Sequence, residues 1–311
     1  MTIDRVATNS QSQYLLSQIM NAESALDKTQ AQVTSGKVAT DYAGIGNKTA
    51  VLEATRSVAN RTNGYQTATT AALAQVNQQD SQLSTLSDLA NQLRSAITSA
   101  VGNNDGSTLM TTVQGIFDQA SQILNTKDAN GNYLYGGDKN GQPPLTVSSM
   151  SDLTSLASAS DAFQNGTLPN SVMVADGQTV TTGVLASDVG TQLMATLKSL
   201  ADLNAGGALD TPLTTAQSAS LTTSIASAQT AAASINNVAA SNGNVYNQLT
   251  EASDNQTTMS ALYQNFVSGI EDVDLGSAIT QLNQNQVALQ AAVQVTSQLN
   301  QVSLLNYLPA P

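Results

Sequence analysis

The two ends of the chain carry the same spacing of seam residues, and this limits the possible folds more than anything between them. Toward the C-terminus, Leu275, Ile279, Leu282, Gln286, Leu289, Val293 and Thr296 step by 4, 3, 4, 3, 4 and 3. Toward the N-terminus, Leu15, Ile19, Ala22, Leu26, Thr29 and Val33 step by 4, 3, 4, 3 and 4. Alternating steps of three and four place side chains along one side of a helix that faces another helix. Each stripe needs a partner, and each is the other's natural one. The first helix is therefore expected to pair with the last, with the rest of the chain looped out between them.

The residues available for burial shape that expectation. The 311 residues include no Trp, Cys or His, eight Tyr, and only three Phe: Phe117, Phe163 and Phe266. A core must rest on Leu, Ile, Val and Ala, which favours slender, closely packed helices over a globule around aromatic side chains. Without Cys there are no disulfides, thiolate nucleophiles or thiolate metal sites. Without His the usual proton shuttle and the commonest metal ligand are missing. No catalytic residue, cofactor site or metal site is expected.

Charge is distributed unevenly. The net charge is -12, yet all ten Lys and Arg lie at or before Lys198. Residues 199–311 hold seven acids (Asp202, Asp210, Glu251, Asp254, Glu271, Asp272 and Asp274) and no base, whereas residues 1–61 hold six bases and five acids. Acidic C-terminal segments are expected to meet basic N-terminal side chains, within one subunit or between subunits. A chain this acidic lacks the basic field that phosphate backbones require, so nucleic acid is a poor partner. No window offers 18 uninterrupted apolar residues, and the first residues do not read as a cleavable signal peptide, so membrane insertion is not expected.

Read in order, the sequence predicts a helix from about Ser12 to Ser35, stopped by Gly36, and then a loop over 41–48. A long helix follows to just before Gly102, with Ala72, Val76, Gln79, Leu83, Leu86, Ala90, Leu93 and Ile97 on its seam. A third helix carries Leu109, Val113, Ile116, Phe117, Ala120 and Ile123. The Asn130-Gly131 turn and Tyr133-Leu-Tyr-Gly-Gly137 suggest a short strand or hairpin, and Asp176-Gly177, flanked by β-branched runs, is a two-residue hairpin signature. Helix resumes at Val189–Leu203. A helix over Thr215–Gly269 would run about 80 Å at 1.5 Å per residue, its stripe passing through Leu221, Ile235 and Leu249 and ending on Met259, Leu262, Phe266 and Ile270. The expected fold is mainly α: an elongated helical bundle, or coiled coil, with a short β-hairpin and a small β-rich insert. Residues 1–40 with 275–311 would form a terminal coiled coil, 41–142 with 189–274 a helical rod, and 143–188 the insert.

Three constellations resemble known chemistry and fail on spacing. Asp41 to Thr49 lacks the adjoining Gly-Lys of a phosphate loop. The Asp128 and Asp138 turns place Gly fourth instead of sixth and lack the closing Glu of a calcium loop, so turn chemistry accounts for both. Glu271, Asp272 and Asp274 sit at the start of the last helix, where carboxylates complement the helix dipole. Helix capping and subunit pairing explain them better than catalysis.

Several short runs resemble the flagellin superfamily. They are Thr29-Gln-Ala-Gln-Val-Thr-Ser-Gly-Lys37, the stretch from Asn125-Thr126 to Tyr133-Leu-Tyr-Gly-Gly137 with Pro143-Pro144 behind it, and Leu282-Asn-Gln-Asn-Gln-Val-Ala-Leu289 continuing to Leu304-Leu-Asn-Tyr-Leu308. The Tyr-Leu-Tyr-Gly-Gly run and the Asn-Tyr-Leu ending are more similar to the hook-associated protein 3 group than to filament flagellin. The resemblance covers roughly residues 1–140 and 190–311. It departs at Asp41-Tyr-Ala-Gly-Ile-Gly46, where that family commonly has an Asp-Asp-Pro turn.

The resemblance implies an extracellular structural subunit of the bacterial flagellum, exported without a cleavable signal and assembled as a ring at the hook-filament junction. Its partners would be copies of itself, hook-associated protein 1, flagellin and an export chaperone. A filament-forming flagellin is the alternative, and a secreted helical effector or enzyme a remote third. The residues expected at subunit contacts are Leu15, Ile19, Leu26, Val33, Glu271, Asp272, Asp274, Ile279, Leu282, Leu289, Val293, Leu299, Val302, Leu304 and Leu305. With Val287 and Val295, the last four would form an apolar flank for neighbouring subunits.

Overall fold

A computed structural model describes the backbone of residues 2–305 and the side chains of residues 10–298. Leu299, Val302, Leu304, Leu305 and the Asn306-Tyr-Leu ending therefore lie outside the described side chains. The chain is mainly helical: α1 (Thr2–Ser35), α2 (Tyr42–Ile45), α3 (Thr49–Asn103), α4 (Leu109–Leu124), α5 (Met150–Ser155), α6 (Ala186–Ala205), α7 (Thr215–Glu271) and α8 (Leu275–Leu305). One antiparallel hairpin, β1 (Ser171–Ala175) and β2 (Gln178–Thr181), interrupts them. No described helix is long and apolar enough to cross a membrane.

The chain divides into two compact units, residues 1–61 with 259–311 and residues 62–258. This differs from the threefold division expected above. Residues 143–188 do not stand apart, because Leu145, Val147, Met150, Leu153 and Ala162 join the same buried cluster as the helices around them. A segment this short gains more by laying its apolar side chains on an existing core than by building its own.

In the first unit α1 packs along α8. They run antiparallel, since Thr29 meets Asn285 and Lys37 pairs with Asp272. All six predicted α1 seam residues are buried or half-buried. Gly36 ends α1 as expected: its φ of +70° suits a residue without a Cβ, and its amide reaches the Gln32 carbonyl at 2.8 Å.

The second unit holds the larger core. Every predicted α3 seam residue from Ala72 to Ile97 is buried, as are Val189, Leu193, Leu197 and Leu200 of α6. Gly190 is there because α6 lies tightly against its neighbours: a Cβ would come within 2.8 Å of Leu124 and 2.9 Å of Phe163. The Tyr133–Gly137 run is not a strand. Tyr133 forms a single bridge with Lys127, and the chain then turns inward so that Leu134 and Tyr135 are buried. The Tyr135 hydroxyl donates to Gln82 Oε1 at 2.8 Å, and burial pushes its pKa up. The Asp176-Gly177 hairpin forms as read, with Val172 opposite Val180 and Gly177 at φ +72°.

Candidate functional site

Within the first unit, the end of α1 is fastened to the break between α7 and α8. The Val38 amide donates to the Glu271 carbonyl at 2.7 Å, and the Val273 amide to the Gly36 carbonyl at 3.0 Å. Beside this two-strand-like contact, the Glu271 carboxylate is nearly buried, its side chain 6% exposed. Lys37 Nζ lies 2.8 Å from its Oε2, and Arg56 donates to its Oε1. Arg56 also reaches the Tyr42 hydroxyl at 3.2 Å and approaches Glu53 at 3.5 Å. A carboxylate removed from water needs such partners, and two cations from the basic N-terminal segment supply them.

The other two acids of the cluster do different work. Asp272 accepts from the Ser268 hydroxyl and stays exposed. Asp274 caps α8, accepting from the amides of Gly276 at 2.9 Å and Ser277 at 3.2 Å. Those bonds, chiefly from Ser277, hold its carboxyl below the usual carboxylate range. The acids read from sequence as one cluster are therefore a buried ion-pair centre, a local acceptor and a helix cap.

The α8 seam differs from its sequence reading. Ala278, Leu282, Asn285, Leu289, Ala292 and Thr296 face inward, while Leu275, Ile279, Gln286 and Val293 are exposed. The predicted and observed seams share Leu282, Leu289 and Thr296, and each keeps three-four steps along its length, so periodicity could not separate them. What decides is contact with α1: small Ala278 and Ala292 permit close approach, and Asn285 finds polar partners there. Its Nδ2 donates to the Ala25 carbonyl and to Thr29 Oγ1, each at 3.1 Å. The end of α7 is corrected in the same way. Ser260, Tyr263, Val267 and Ile270 are buried or half-buried, leaving Met259, Leu262 and Phe266 exposed, the last at 55%.

The apolar residues displaced from the α7 and α8 seams add to other exposed apolar side chains of the first unit. Of the sixteen large hydrophobic side chains exposed among the described residues, thirteen belong to the first unit. They include Tyr14, Leu16 and Met20 of α1; Met259, Leu262 and Phe266 of α7; and Leu275, Ile279, Val287, Val293 and Val295 of α8. Among the sequence-predicted contact residues, Leu15, Ile19, Leu26, Val33, Leu282 and Leu289 are half-buried along the α1 and α8 seam, whereas Ile279 and Val293 are on the exposed surface. Val51 and the aromatic Tyr42, both exposed, were not anticipated, having no periodic signal to mark them.

Paired terminal helices with an apolar exterior define a class: helical proteins that combine an internal coiled coil with a surface suited to association. The comparisons narrow it. Residues 225–308 match the family described as the bacterial flagellin C-terminal helical region. The fold is similar to that of a Vibrio parahaemolyticus protein described as a flagellar hook-associated protein, with a TM-score of 0.60 and 16% identity over 75% of this chain and 99% of that one. It is also similar to FlgL of Bacillus cereus, with a TM-score of 0.53 and 14% identity over 70% of this chain and 98% of that one. No curated protein matches by sequence. The flagellin-type resemblance read from the short motifs agrees with both kinds of match.

Proposed function

We propose that this chain is a non-catalytic structural subunit of the bacterial flagellum, extracellular when assembled, and that it serves as a hook-filament junction adapter forming a ring through its terminal helices. The observation that carries the proposal is the concentration of exposed apolar side chains on the unit built by α1 and α8. Isolated apolar residues are ordinary on protein surfaces, but a set this dense on one unit marks an association surface. Copies of the chain, hook-associated protein 1 and flagellin are the proposed partners on this surface, and an export chaperone would cover it before assembly. Of the contact residues named from sequence, Ile279 and Val293 remain the strongest proposals, joined by Leu262 and Phe266. Leu299, Val302, Leu304 and Leu305 are proposed to continue the same flank.

The match to the flagellin C-terminal region favours a second reading, a filament-forming flagellin. Electron microscopy of purified protein mixed with hook and filament ends separates the two. Density confined to a junction supports the adapter, long homopolymers support the flagellin, and the absence of both would overturn both readings.

A further inference from the structure

In the second unit, α3 and α7 pair along a seam whose character changes partway. Over one stretch Leu83, Leu86, Leu93 and Ile97 of α3 and Leu221, Ala228 and Ile235 of α7 are fully buried in one apolar cluster. Over the other, residues 62–80 and 242–258, the buried positions include Thr69, Gln79, Asn242 and Gln256. Polar side chains can specify register in a helix pair, but they supply little of the burial that holds helices together. Asn242 uses its amide on the Val76 carbonyl at 3.0 Å, whereas both amide atoms of Gln79 are buried without a hydrogen-bond partner. Gln66 Nε2 adds a bond to Thr257 Oγ1 at 3.2 Å, but of the two helices only Ala72, Val76 and Leu249 are buried apolar residues in this stretch.

The β1–β2 hairpin lies on it. Val174 and Val180 are buried against Ala72, Val76 and Leu249, so the hairpin supplies two of the five buried residues of this second cluster. It also bonds to both helices. Gln256 Nε2 donates to the Val174 carbonyl at 2.7 Å as well as to Thr69 Oγ1 at 2.9 Å. On the α3 side, the Tyr65 hydroxyl donates to Asp176 Oδ1 at 2.6 Å. We propose that the β1–β2 hairpin is a strap that holds α3 and α7 in register along the stretch where their own seam turns polar. The insert's role is then internal: it stiffens a helix pair whose polar seam would otherwise open locally.

The base of the hairpin is already closed, with the Thr182 and Gly183 amides donating to the Asn170 carbonyl at 2.8 and 2.9 Å. The strap can therefore be excised by joining Asn170 directly to Thr182. Amide hydrogen exchange on the full chain tests the proposal, because it reads opening segment by segment. Excision is expected to lower protection over 62–80 and 242–258 by about tenfold or more while leaving 83–100 and 221–239 within about twofold. Unchanged protection in the polar stretch, or an equal loss in both stretches, would overturn it. If the excised chain does not fold, the double variant Val174→Ala, Val180→Ala carries the same test, with a loss of about fivefold expected in the polar stretch alone.

Discussion

Replacing Glu271 with Gln isolates the ion-pair centre that fastens α1 to the α7–α8 break. The substitution keeps size and shape and removes one charge, leaving Lys37 and Arg56 without their shared partner. Removing one member of a fully buried pair costs about 3–5 kcal/mol, because the remaining charge is stranded. Here the stranded groups are 46% and 39% exposed, so each can turn toward water. The cost should accordingly fall to about 2 kcal/mol, still well above the 0.2–1 kcal/mol or so of an exposed pair. Asp272→Asn, at an exposed acceptor of the Ser268 hydroxyl, is the control and should change stability by less than about 0.5 kcal/mol. Denaturant unfolding gives the stability difference, and amide exchange at Val38 and Val273, whose bonds flank the carboxylate, localises it. Equal effects from Glu271→Gln and Asp272→Asn, or unchanged exchange at both amides, would refute the reasoning.

Other outcomes follow from the same geometry. Leu262→Ser with Phe266→Ser should leave monomer stability within about 1 kcal/mol, since both side chains are already exposed, while abolishing association in sedimentation. Asn285→Ala should cost about 1 kcal/mol in denaturant unfolding by removing the bonds to Ala25 and Thr29. Tyr135→Phe should cost about 1 kcal/mol, because Gln82 loses its donor, whereas Tyr135→Ala should cost about 3–5 kcal/mol through the cavity left behind. Asp274 titrates below its ordinary 3.8 when folded, so its contribution is complete above that value and is lost as pH falls through the depressed folded value. Asp274→Asn should retain the cap and abolish that acid dependence, as read by exchange at the Ser277 amide across a pH series.

Legibility in the sequence tracked how uniquely a pattern names one face. On α3, a stripe that is apolar except for Gln79 repeats by threes and fours, and every predicted seam position from Ala72 to Ile97 is buried. Asp176-Gly177 was equally legible, because few residues accept the positive φ its turn requires. The Tyr133–Gly137 run reads as a short strand or hairpin, and only its start keeps such pairing, Tyr133 with Lys127 and the Leu134 amide on the Thr126 carbonyl, before the adjacent Leu134 and Tyr135 both turn into the core. The acids at 271, 272 and 274 were legible as a group but not in their separate roles, since burial of Glu271 depends on Lys37 and Arg56, more than two hundred residues away in sequence.

The sequence by itself determined that the chain is helical, that its first helix pairs with its last, and where α1, α3 and the hairpin turn over. Those properties are local, carried by three-four spacing, Gly36 and the Asp-Gly turn. Only the tertiary structure decided which of two overlapping stripes on α7 and α8 faces inward. Both stripes satisfy the period, and the choice rests on contacts made at a distance: Asn285 against Ala25 and Thr29, and Ala278 where the packing is close. The larger apolar residues were thereby left outside, and the surface proposed for assembly is a consequence of that choice.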